Sequence, residues 1–237
     1  MSASRAGRTA WPAPPGWGGV LVAEAVLVAA AIVAYTNLAL PSHRVPGWVG
    51  PAFFVGILLV PIVLARWHGD GPREMGVRVD NLGVALRTVV PATLVLLVVV
   101  ALVGLALGSW HVDAPHRVLK RVGRYLLYGP VQQLLLCGFL FRRLHQAFGR
   151  ALPAALLAGL LFGAAHAPNV PLMGMTAAVG VLSCLLFVRA PNVLAVGWML
   201  GLLAVVVRYA WPEAWHERLT VGGNYLERMW PGLFGAG

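Results

Sequence analysis

Acidic residues are scarce in this chain, and their placement says more than their number. Only 8 of 237 residues are Asp or Glu, and the 99 residues between Asp113 and Glu213 contain neither. Any chemistry housed in that stretch lacks a carboxylate. Charge of either sign is also low, at 11% against roughly 25% in soluble domains, while 59% of residues are hydrophobic and the mean hydropathy is +0.78. That balance excludes a soluble globular protein and makes lipid the solvent. The two cysteines, Cys137 and Cys184, both fall in apolar runs, which excludes a secreted disulfide framework and a zinc pair of the C-x-x-C kind. The net charge of +10 comes from 18 Lys and Arg scattered at the ends of apolar runs. No aromatic-interleaved basic patch accompanies them, so membrane lipid headgroups, not nucleic acid, are the expected partner.

What the chain does have is long apolar runs. Segments 19–40, 48–66, 82–108, 125–141, 151–167, 170–188 and 192–210 each approach the roughly 20 residues that a helix needs to cross a bilayer core. They predict an all-α, polytopic integral membrane protein with about seven transmembrane helices. No small-residue cleavage site follows the first run, so it reads as an anchor. With no internal repeat, the expected organisation is an N-terminal cytoplasmic leader at 1–18 and a single membrane domain at 19–237. Arg5 and Arg8 precede the first run, Arg66, Arg73 and Arg78 follow the second, and Arg142, Arg143 and Arg150 follow the fourth, which places the N-terminus in the cytoplasm. Segment 109–124 breaks the pattern. It carries Arg117, Lys120, Arg121 and Arg124 beside an apolar stripe of Val118, Leu119, Val122 and Tyr125, so it reads either as an interfacial amphipathic helix or as a miscounted span.

Two segments carry motif-like polar residues in the acid-free stretch: Val131-Gln132-Gln133-Leu-Leu-Leu-Cys137-Gly-Phe-Leu-Phe-Arg142-Arg143-Leu144 and Leu161-Phe162-Gly-Ala-Ala-His166-Ala-Pro-Asn169. Together, over 123–210, they resemble the core of the CAAX-protease and bacteriocin-processing family of intramembrane proteases. That family places Glu-Glu-x-x-x-Arg before a Gly-Phe-Leu-Phe-Arg-Arg-Leu-like run, and Phe-x-x-x-His some 30 residues on. Here the Glu pair reads Gln132-Gln133 and the Arg reads Cys137, while Phe162 and His166 keep their places. Met75–Arg87 resembles the preface that many members carry before an early helix. The family's last motif, His followed four residues later by Asn or Asp, falls on Leu200 and Ala204 when Asn192-Val-Leu-Ala195 is aligned with its start.

The resemblance implies a CAAX-protease-like helical bundle in a bacterial inner membrane. Its ancestral activity would be peptide-bond hydrolysis on membrane-associated or C-terminally tailed substrates. Candidate catalytic residues are Gln132, Gln133, Cys137 and His166, expected to line one polar cavity. A glutamine binds no proton near neutral pH, so losing the glutamate base removes on the order of 10²–10⁴ in rate. The first expectation is therefore a protease-like enzyme whose activity is weakened or lost. The alternatives are a non-catalytic scaffold that binds a peptide tail or partner helix, and a Cys/His-dependent sorting-type peptidase in which His166 ionises Cys137 and a glutamine serves the oxyanion. A transporter ranks last, because paired broken helices with intramembrane charges are not apparent. No cofactor is expected, and no metal, since neutral Gln substitutes poorly for a carboxylate ligand.

Plainer roles are weighed for the same residues. The glutamines join helices by hydrogen bonds, His166 caps a carbonyl, Asn169 beside Pro168 makes a turn, and Glu24 snorkels to the interface from the first span. Trp198, Tyr209, Trp211, Trp215 and Trp230 read as an interfacial aromatic belt.

Overall fold

A computed structural model describes residues 16–39 and 46–230, and every regular element among them is helical. Most of the leader, with Arg5 and Arg8, lies outside the described residues. Helix α1 (Gly18–Ala34) runs into a π-helical turn at Tyr35–Ala39, and α2 (Val49–Trp67) and α3 (Leu82–Ala106) follow. Next comes one continuous helical rod: α4 (Pro115–Gln133), a π-helix (Leu134–Phe141) and α5 (Arg142–Phe148). The rod stops at Gly149, whose φ of 65° is the left-handed cap that glycine adopts at little cost. Then come α6 (Ala151–Ala164), α7 (Val170–Phe187), α8 (Val193–Ala210), and the short α9 (Glu213–His216) and α10 (Gly222–Met229). Side-chain caps start two of these helices. Asn169 Oδ1 accepts from Leu172 N, and Asn192 Oδ1 accepts from Leu194 N and Ala195 N.

Among the described residues, five helices are long and apolar enough to cross a membrane: Gly18–Asn37 and the helices α2, α3, α7 and α8. The chain is thus a polytopic, all-α membrane protein. The other two expected spans take different forms. Segment 125–141 belongs to the long rod, and the basic segment before it, from Pro115 onward, forms the first turns of that same helix instead of a separate interfacial one. The 14 residues of α6 reach only about 21 Å at 1.5 Å each, short of a core of about 30 Å.

Lipid tails are as apolar as leucine, so helices in a bilayer hold together chiefly by close packing, which small residues permit. The main pairings follow that rule. Where α4 crosses α8, a Cβ on Gly197 would sit 2.4 Å from Pro130 N, and one on Gly201 would sit 2.6 Å from Tyr125 O. Proline has no N–H to satisfy there, and glycine has no side chain to exclude it. In the α6–α7 pair, a Cβ on Gly163 would lie 2.7 Å from Met173 O. The π-helix is the hub, with Leu136 through Phe141 all buried.

Polar groups concentrate at the two ends of the bundle. At one end Asp70 receives both Arg142 and Arg143 (Arg143 Nη1–Asp70 Oδ2 2.9 Å), and Arg143 Nε lies 3.2 Å from Glu24 Oε2. His68 Nε2 bonds Glu24 Oε1 at 2.8 Å. Glu24 is therefore ion-paired inside the bundle and does not snorkel. The α2–α3 loop is locked to the start of α8 by Asn192 Nδ2, which donates to Arg78 O at 2.7 Å and Asn81 Oδ1 at 2.9 Å. The opposite end carries Arg117, Lys120, Arg121, Arg124, Arg208 and Arg218, so loop charge alone does not orient the bundle. Two members of the expected aromatic belt also have other work. Tyr209 is buried against Arg121 and Asp113, and Trp211 Nε1 donates to Val100 O at 2.9 Å.

Candidate functional site

A cavity of about 480 Å³ opens between α1, the rod, α6, α7 and α8. Gln132 from the last turn of α4, His166 from the turn after α6, and Leu200 and Ala204 from α8 all line it. These are the positions that the resemblance aligns with the family's glutamate pair, its first His, and its final His and Asn. The close α4–α8 crossing brings the last two to the first, because Gly197 and Gly201 let α8 approach the turns just before Gln132.

Gln133 and Cys137 are elsewhere. Successive residues on a helix point about 100° apart, so Gln133 turns away from the cavity that Gln132 faces. It is fully buried, its Nε2 donating to Ser183 Oγ at 3.4 Å and its Oε1 accepting from Cys137 Sγ at 3.0 Å. One turn further on, Cys137 shares the side of Gln133, as its spacing requires. That side is packed against α7, where Cys184 Sγ lies 3.9 Å away. Both thiols are free and buried. The expected four-residue cavity is thus corrected to Gln132 and His166, with Gln133 and Cys137 in a separate polar contact between the rod and α7. Ser183, which completes that contact, has no signal in the sequence, since one serine in an apolar helix is unremarkable.

His166 sits with Nδ1 2.7 Å from Phe162 O and its ring edge-on to Phe162 at 4.9 Å. A carbonyl only accepts, so Nδ1 carries the proton and Nε2 keeps the lone pair of the neutral ring. The turn holding His166 is tied down on its far side. Asn169 Nδ2 donates to His216 O at 3.2 Å and Thr220 O at 3.1 Å, and Gly222 N donates to Ala167 O at 2.8 Å. Gly222, with φ of +59°, leaves no room for a side chain, as a Cβ there would meet Thr36 O at 1.8 Å. The segment after α8 thereby braces the histidine, a role invisible before the chain is folded.

The remaining polar lining is spare. Thr36 and Thr176 spend their hydroxyls on carbonyls of their own helices, at Val33 and Leu172. Arg124, Tyr125 and Tyr128 border the space, and among the described residues no Asp or Glu does. Such a surface offers an amide that donates and accepts, an imidazole that accepts at Nε2, and apolar walls. It has no carboxylate to act as general base on water. Nor does the donor set suit zinc, which takes three or four N, O or S ligands. Among the described residues no three His, Cys, Asp or Glu gather.

Residues 114–206 match the family model described as Rce1-like, type II CAAX prenyl endopeptidase. No curated protein and no solved structure matches the chain.

Proposed function

We propose that this chain, which belongs to the CAAX protease family through residues 114–206, holds the tails of membrane-anchored proteins in the ancestral cavity without hydrolysing them. It does so as a multi-pass protein of a bacterial inner membrane, with residues 19–237 acting as a single membrane domain. The observation that carries this reading is the convergence of Gln132, His166, Leu200 and Ala204 on one cavity. The pocket is kept, and of its reactive groups only an imidazole remains. Absence of the base costs on the order of 10²–10⁴ in rate. Absence of polar groups at Leu200 and Ala204 removes stabilisation of a developing oxyanion, worth roughly another 10²–10³. Binding survives those losses, because Gln132 still hydrogen-bonds a peptide group and the walls still bury an apolar side chain. A cysteine mechanism is disfavoured by placement, since Cys137 does not line the cavity with His166.

The test uses a prenylated CAAX-type reporter peptide in proteoliposomes. Wild type is expected to bind the peptide without cleaving it, and Gln132→Glu with Gln133→Glu is expected to remain inactive. Adding Cys137→Arg, Leu200→His and Ala204→Asn to that pair rebuilds the whole set, and should be the first combination to yield cleavage. Turnover by wild type would sink the proposal. Strong turnover by the double variant would show that the polar groups lost from α8 are dispensable.

A further inference from the structure

Beside the cavity lies a second recess, of about 470 Å³, lined by His116, Arg117, Lys120, Arg121, Arg124, Arg208 and Arg218. Every lining residue is basic. The first five come from the N-terminal turns of α4, Arg208 from the end of α8, and Arg218 from the turn after α9. Among the described residues, Asp113 and Glu213 pair with only some of these cations. Asp113 pairs with Arg121 and, at 3.8 Å, with Arg117, while Glu213 is shared between Arg218 and Arg228. Arg208 gives Nη1 to Arg218 O at 2.9 Å, yet its Nε is buried with no hydrogen-bond acceptor among the described residues. Cations drawn together from three elements, one with an idle buried donor, mark a place for an anion that the described residues do not supply.

The surroundings say what kind of anion. His116, Lys120 and Arg124 follow one another at single-turn spacing down α4, and Leu119, Gly123 and Leu127 form a parallel stripe beside them. Leu119 and Leu127 are 74% and 77% exposed, and space beside Gly123 is open. The stripe runs from the charged end of the rod toward its membrane-embedded part. A cationic recess continuous with an exposed apolar track has the two-part chemistry of an amphiphile. Basic pockets between membrane helices are where anionic headgroups lodge.

We infer that this recess binds the phosphate headgroup of an anionic phospholipid, with an acyl chain lying along Leu119, Gly123 and Leu127. Arg124 lines both the recess and the cavity, so the headgroup sits at the cavity mouth. The site needs neither catalysis nor tail binding, and its test does not involve the reporter peptide.

Phosphatidylglycerol and phosphatidylcholine with identical chains are titrated into the full chain in neutral detergent, and retained lipid is read by native mass spectrometry. Phosphatidylglycerol should be favoured roughly thirtyfold, the worth of two well-placed charges near an anionic group. Lys120→Gln with Arg124→Gln, both exposed and safe for folding, should bring the ratio close to unity. Arg73→Gln with Arg87→Gln removes the same charge from the opposite end and should leave it unchanged. Equal retention of the two lipids by wild type, or equal loss in both double variants, overturns the proposal. Displacement of phosphatidylglycerol by millimolar inorganic phosphate overturns it too, because the recess would then be a site for free phosphate.

Discussion

Two stations on one helical rod, Gln132 and the Arg142–Arg143 pair, lie about ten residues apart along the chain, and they differ in how charge is handled. Both belong to the same family-like run. At the arginines every charge is answered: Asp70 takes both guanidinium groups, Glu24 and the carbonyl of Leu64 take the rest of Arg143, and the carbonyl of Glu74 takes Arg142. At Gln132 a neutral amide stands where the family motif has a carboxylate, and among the described residues no Asp or Glu lines the cavity. The difference is one of folding cost. A buried arginine stripped of its partners is expensive, whereas a neutral amide at a cavity wall is cheap. Substitution at Gln132 is therefore cheap for the fold, whereas substitution at the arginines is not.

The sharpest way to break this contrast is at its ionic end. Asp70→Asn leaves two buried arginines short of their main counterion and should cost about 3–5 kcal/mol, read as a fall in thermal unfolding temperature in detergent. A negligible shift would mean the cluster is hydrated and not structural. Next in size is the wall between the stations. Gly197→Val drives a side chain into Pro130, and overpacking of this kind should cost about 1–3 kcal/mol. It should also push Leu200 and Ala204 away from Gln132, so cross-linking between cysteines placed at 132 and 204 should fall in the same variant. Smallest is Cys137→Ala, which removes one sulfur from the contact with Gln133 and Cys184 and should cost about 1 kcal/mol. Function in cells is expected to persist. If the protein still accumulates in the membrane but processing of a membrane substrate disappears, Cys137 is chemically active and its placement outside the cavity has been misread.

Much of the architecture was legible beforehand. Helical runs near 19–40, 48–66, 82–108, 170–188 and 192–210 show directly in hydropathy, because a bilayer demands length and apolarity from each segment separately. The basic segment at 109–124 was harder. It reads either as an interfacial amphipathic helix or as a miscounted span, and from Pro115 onward it is the head of a rod that becomes apolar only further along. Within the site, the family resemblance implied that Gln132, Gln133, Cys137 and His166 share one cavity, and Gln132 and His166 both line it. Spacing could not say which of two adjacent glutamines faces the cavity, since that depends on how the rod is rotated against its neighbours.

By itself, then, the sequence determined the class of solvent, the helical content, the family-like register and the absence of any carboxylate between Asp113 and Glu213. Tertiary structure alone decided that Asp70 is the counterion of Arg142 and Arg143. It alone put Cys137 against Cys184 and away from His166, and collected Arg208 and Arg218 with the head of α4. Each of these joins residues far apart in the chain. Local propensity and hydropathy act over a few turns, whereas the pairing of buried charges and the rotation of a helix follow from which surfaces pack closest, and that is fixed only when the whole bundle closes.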